Sequence, residues 1–191
     1  MKKRKRKVSS SIFVILVLAA LFVAARRMAY ILYPLKYEEY IKKYANQYNI
    51  DPYVVAAMIK TESNFNVEAN SHKDARGLMQ ITGETGKWIA SKMKIENYEE
   101  KMLYDPETNI KMGCWYINNL REEFGDNLDL ILASYNAGRG RVNNWLENKQ
   151  YSLDGKKLDY IPYEETNKYV KKIEANYNIY KFLYKNKLNI S

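Results

Sequence analysis

Two Asp-Pro pairs constrain this chain more than any other feature, because each marks a place where a helix can begin and a strand cannot continue. In Asp51-Pro52 and Asp105-Pro106 the aspartate can accept from the free N–H groups of a first helical turn. The proline gives up an N–H that would have had no partner there. Behind each pair, apolar residues recur at steps of three and four. Thr82 opens a similar run with Trp88, Ile89 and Met93. Asp126 or Asn127 opens another with Leu130, Ile131, Leu132 and Tyr135, and Gly125 and Gly138 supply stops. A first amphipathic stretch over residues 37–48, a short one over 142–146 and a last one after Pro162 complete the pattern. It predicts about seven helices and almost no strand, a mainly α fold. Residues 64–76 and 148–159 read as polar loops, and 77–81 are too few for a helix.

The first residues follow another logic. Met1 heads a cationic block reaching Lys7, and residues 12–25 are an uninterrupted apolar or small run. This is an export signal, and it divides the chain into a basic, membrane-directed segment at 1–29 and one domain at 30–191. The apolar stretch from Val8 spans about 27 Å at the helical rise, close to the hydrocarbon thickness of a bilayer. An uncleaved anchor, with the cations inside and the domain outside, is the expectation; Val23-Ala24-Ala25 would serve the alternative, cleavage and secretion. No cysteine near the end of the run could carry a lipid.

The charge belongs to the same segment. The chain carries a net charge of +9, but eight of its 31 basic residues fall between Lys2 and Arg27, and the rest nearly match the 22 acidic ones. The domain is therefore close to neutral, and binding to nucleic acid is excluded as its basis. Cys114 is the only cysteine, so an exported domain must hold together by packing. His72 is the only histidine, which removes histidine-rich metal sites and leaves a Cys114–His72 thiol hydrolase as a formal alternative.

Glu62 is the residue with chemical promise. Met58 and Val54 lie four and eight positions before it, and Ile59 and Val55 three and seven, so its carboxylate shares a helix face with the core. Lost water and the negative end of the helix dipole would both raise its pKa, which suits a general acid. The eighteen tyrosines, all after position 29, are either half-buried helix residues or the aromatic lining of a sugar groove.

Four segments stand in order: Glu62-Ser63-Asn64-Phe65, Gly77-Leu78-Met79-Gln80, Ser134-Tyr135-Asn136-Ala137-Gly138, and the run from Ile161-Pro162-Tyr163-Glu164-Glu165-Thr166 to Val170. Together they resemble the catalytic domain of the soluble-type lytic transglycosylases, over roughly residues 37–184. The resemblance implies a goose-type lysozyme-like helical domain. It also implies cleavage of the β-1,4 bond between N-acetylmuramic acid and N-acetylglucosamine in peptidoglycan, with a 1,6-anhydro product. On it, Glu62 is the single acid and base, and Ser71, Met79, Gln80, Tyr135, Asn136 and Glu165 belong to the sugar site. It implies no metal and no cofactor, and glycan strands as the partner; the first segment adds attachment to a membrane, and a monomer is expected. Asp74 stands where relatives often have glycine, and Asn167 replaces a frequent arginine.

An ordinary glycosidase would need a second carboxylate. Asp74 or Glu84 would be its source in a hydrolase of the same fold, and a silent glycan-binding scaffold of a secretion or conjugation apparatus is the remaining alternative.

Overall fold

The structure, a computed structural model, describes residues 2–188, and residues 2–10 by their backbone alone. Met1, at the head of the expected cationic block, and residues 189–191, the end of the expected domain, lie outside the described residues. Contacts divide the chain into two units, one up to Leu35 and one from Lys36 onward.

The first unit is a single helix, α1 (Lys2–Leu32). Its stretch Ser11–Leu32 is long and apolar enough to cross a membrane. The expected break after residue 29 falls inside this helix. Residues 28–32 contain no breaker, and α1 ends where Tyr33 meets Pro34, whose ring disfavours helical backbone in the residue before it.

The second unit is helical: α2 (Glu38–Gln47), α3 (Pro52–Glu62), α4 (Gly83–Met93), α5 (Pro106–Phe124), α6 (Leu128–Ala137), α7 (Arg139–Glu147) and α8 (Glu164–Leu183). Both Asp-Pro starts act as expected. The Asp51 carboxylate accepts from the Tyr53 N–H at 2.8 Å, and that of Asp105 from the Thr108 N–H at 2.8 Å. Thr82 caps α4, and Asn127 rather than Asp126 caps α6. α7 begins at Arg139, earlier than the apolar pattern indicates, because Gly138 at φ +90° turns the chain directly out of α6.

Two short elements are not legible as such in the sequence. Residues 75–82 hold a minimal antiparallel hairpin, β1 (Ala75–Arg76) with β2 (Ile81–Thr82), in which Ala75 faces Thr82 and Arg76 faces Ile81. A 3₁₀ turn, Glu100–Tyr104, precedes α5. Two residues per strand are too few for an alternating pattern to register.

At the centre, α3 packs against α8 and α2, α5 against α2 and α6, and α6 against α8. Every residue of α3 from Pro52 to Ile59 is buried, so the helix is enclosed on all sides instead of showing the core one stripe. Only its last turn reaches the surface, and that turn carries Glu62.

Candidate active site

Glu62 is the last residue of α3, and the Ser63 hydroxyl that follows donates to the Leu78 carbonyl at 2.8 Å. This bond joins the end of α3 to the segment 77–80. Asn109 of α5 fixes the segment from the other side. Fully buried, it donates to the carbonyls of Leu103 at 2.7 Å and Arg76 at 3.1 Å, and its Oδ1 accepts from the Met79 N–H at 2.8 Å. The approach is so close that a Cβ on Gly77, at φ +73°, would lie 2.1 Å from the Leu103 carbonyl oxygen. Only glycine fits that place.

Two tyrosines close over Glu62. Tyr169, from α8, donates its hydroxyl to Glu62 Oε1 at 2.6 Å. Tyr135, from α6, donates to the Met79 carbonyl at 2.9 Å. Burial first, and then the charge of Glu62, hold both phenols well above the ordinary tyrosine range, so both remain protonated donors. Glu62 itself is pushed up from 4.5 to about 7 by loss of water, against the opposing pull of the Tyr169 hydrogen bond and the Lys172 charge. A carboxyl poised there holds a proton near neutral pH and can also part with it. Its second oxygen, Oε2, has no hydrogen-bond partner among the described residues.

The remaining expected site residues are less alike. Gln80 stands in left-handed backbone at φ +48° and spends its amide N–H groups on the carbonyls of Gly77, at 3.0 Å, and Ala69, at 3.1 Å. Its oxygen meets no donor among the described residues. The Ser71 hydroxyl accepts from the Lys73 and Ala75 N–H groups at 3.2 and 3.1 Å, shaping the loop before β1. Asn136 is exposed, and its Oδ1 accepts from the Thr166 hydroxyl at 2.8 Å, which ties the Tyr-Asn pair to the start of α8. Glu165 is exposed and meets Lys73 at 3.7 Å. The Met79 side chain is wholly buried and packs on Gly113, where a Cβ would meet its sulfur at 2.2 Å, so what Met79 contributes beside Glu62 is its carbonyl.

Sequence reasoning missed Tyr169 and Asn109. Tyr169 does fall on the buried face of the last helix, four residues after Glu165, but nothing in a periodic pattern says which distant group a phenol meets. Of the alternatives, Asp74 is exposed at φ +60° with its carboxylate 2.6 Å from Arg76, and Glu84 is exposed on the first turn of α4. Cys114 is fully buried and its thiol is pushed up by that burial, which removes the Cys114–His72 reading.

Residues 39–158 match the family described as Transglycosylase SLT domain, a stretch that includes Glu62 and Tyr135 and stops short of Glu165 and Tyr169. The soluble lytic murein transglycosylase of Escherichia coli K12 is 35% identical over 152 residues, 78% of this chain and 24% of that protein. A membrane-bound lytic murein transglycosylase C of Sodalis glossinidius is 33% identical over 116 residues, 56% of this chain and 32% of its own length. In structure, the chain is similar to the 70 kDa soluble lytic transglycosylase SLT70 from Escherichia coli, with a TM-score of 0.71 at 32% identity, covering 82% of this chain and 26% of that one. The chain thus spans about a quarter of the length of the soluble transglycosylases it matches.

Proposed function

The chain belongs to the transglycosylase SLT domain family, and from that membership we propose that it cleaves the β-1,4 bond between N-acetylmuramic acid and N-acetylglucosamine in peptidoglycan, leaving a 1,6-anhydro end. One observation carries the reading. Glu62 is half-buried at the end of an enclosed helix, its pKa raised to about 7 by loss of water, with one oxygen held by Tyr169 and the other without a partner among the described residues.

In this reaction Glu62 gives the Oε2 proton to the leaving glycosidic oxygen as the C1–O bond breaks. The N-acetyl oxygen of the same muramic acid supports the positive charge growing at C1. The Glu62 carboxylate then takes the proton of the C6 hydroxyl, whose oxygen bonds to C1 and closes the anhydro ring. No water is consumed, and the nucleophile benefits from being part of the substrate. Tyr169 positions the carboxyl and, by donating to Oε1, stabilises its ionised form once the proton has left. Ser71, Gln80, Asn136 and Glu165 belong to the cleft for the sugars, and Tyr135 stands beside the acid. The membrane enters through α1: the 22 residues Ser11–Leu32 reach about 33 Å, enough to span a bilayer and hold the domain outside it.

The experiment is mass spectrometry of purified peptidoglycan digested by the full chain in detergent, beside its Glu62→Gln variant. Anhydro-muropeptides from the parent and none from the variant are expected. Reducing-end products would make the enzyme a hydrolase and require a second carboxylate. Products from the variant at the parent's rate would remove Glu62 from the reaction.

A further inference from the structure

Trp88 of α4, Trp115 and Tyr116 of α5 and Arg139 of α7 meet at the surface of the second unit. The Trp88 ring stands edge-on to Trp115, centroids 5.5 Å apart, and to Tyr116, at 5.9 Å. The Tyr116 ring lies 5.3 Å from that of Tyr135. Aromatic rings therefore run without a break from the phenol beside Glu62 outward to an indole that remains 36% exposed. The Arg139 guanidinium sits 5.2 Å from the centre of Trp88 and 5.8 Å from that of Tyr116. It is held there by Glu123 at 2.9 Å and Asn119 at 2.5 Å.

Core packing does not account for this arrangement. Trp88 stays about a third exposed, and Arg139, its own side chain 34% exposed, gives up rotamer freedom to be held by Glu123 and Asn119 over that ring. What the arrangement provides is a rigid indole overlain on one side by a guanidinium, whose N–H donors stand fixed beside the exposed part of the ring and whose charge is paired with Glu123. That is the chemistry of a neutral carbohydrate site: the C–H face of a pyranose lies on the part of the indole that Arg139 leaves exposed while hydroxyl and N-acetyl oxygens accept from the guanidinium.

We propose that Trp88, braced by Arg139, is a distal sugar platform that takes an N-acetylated pyranose two or three residues along the strand from the bond at Glu62. This rests on the glycan-cleaving reading of the Glu62 site, and it adds a length requirement: Trp88 contributes to holding a long strand and nothing to the bond-breaking step. Because the guanidinium is already paired, the platform discriminates by shape, and its contribution is insensitive to salt.

The test uses the full chain in detergent, made inactive by Glu62→Gln, titrated by calorimetry with β-1,4-linked N-acetylglucosamine disaccharide and hexasaccharide. Adding Trp88→Ala should weaken hexasaccharide binding roughly fivefold or more and leave disaccharide binding unchanged. Trp88→Phe, which keeps the packing and a smaller face, should fall between, and the change in tryptophan emission that hexasaccharide causes should shrink with it. If Trp88→Ala fails to fold, Trp88→Phe decides alone: unchanged affinity and unchanged emission response overturn the platform. Equal hexasaccharide affinities with and without Trp88, while the parent still makes anhydro products, overturn the platform and leave the Glu62 reading standing. Absence of binding at either length, together with absence of products, brings down both.

Discussion

Glu62 closes α3 half-buried and 2.6 Å from the Tyr169 hydroxyl, whereas Glu165, in the first turn of α8, keeps its side chain 76% exposed and meets Lys73 at 3.7 Å. Both are glutamates at helix ends, and both lie in motifs that single them out in the sequence. The difference is solvent. Around Glu62 the enclosed α3 and two phenols remove much of the water, and the ionised form loses hydration that a single hydrogen bond does not replace. Around Glu165 water screens the ion pair, and such pairs contribute little. An acid for catalysis is thus made by its surroundings.

The sharpest way to break this comparison is to neutralise each carboxylate in turn. Glu62→Gln should lower the rate of anhydro-product formation by about a thousandfold or more, and Glu165→Gln by less than about tenfold, with the loss in KM. Comparable losses in kcat would mean that Glu165 shares the chemistry.

Releasing the segment beside Glu62 comes next. Asn109→Ala removes the side-chain partner of the buried Met79 N–H and Leu103 carbonyl and of the part-buried Arg76 carbonyl, and should cost about 3 kcal/mol of stability, read from urea unfolding. A cost near zero would show that water replaces the side chain and that Asn109 does not set the segment.

Stability against pH sharpens the contrast further. A carboxyl whose folded pKa lies above its ordinary 4.5, at about 7, binds its proton more tightly in the folded state. Its destabilising effect is absent below pH 4.5, grows between 4.5 and 7, and is complete above 7. Glu62→Gln should therefore stabilise the protein at pH 8 by about 2 kcal/mol and leave it unchanged at pH 4. Glu165→Gln should change stability by less than about 0.5 kcal/mol at either pH. A Glu62→Gln variant no more stable than its parent at pH 8 would mean that the folded protein leaves the Glu62 carboxylate hydrated.

The smallest effect distinguishes Tyr169 from a simple wall. Tyr169→Phe keeps the ring and removes the hydrogen bond that lowers the Glu62 pKa, so the alkaline limb of the rate profile should move to higher pH. The rate at the optimum should fall roughly tenfold. A lower rate with an unmoved limb would assign Tyr169 to substrate contact alone.

How much of this was legible in the chain depends on distance along it. Helix starts at Asp51, Thr82 and Asp105 are local events, decided by a carboxylate or hydroxyl and N–H groups two or three residues on. The apolar face that holds Glu62 is equally local, since it follows from the helical period. Tyr169 is different: 107 residues separate it from Glu62, and the same buried period on α8 holds Ile173 and Tyr180. Met79 shows the reverse case, a motif residue beside the site whose side chain turns inward because Gly113 leaves room for it.

By itself, then, the sequence determined the helices and most of their ends, the apolar segment that became α1, and the identity of the one carboxyl placed against the core. Each of these depends on neighbours within a turn or two, where backbone geometry leaves few choices. Tertiary structure alone decided that α3 is enclosed on every side, that Tyr169 is the phenol hydrogen-bonded to Glu62, that Asn109 pins the segment at Gly77, and that Trp88 stays at the surface under Arg139. Those outcomes rest on contacts between residues far apart in the chain, set by how whole helices pack, and no local pattern encodes them.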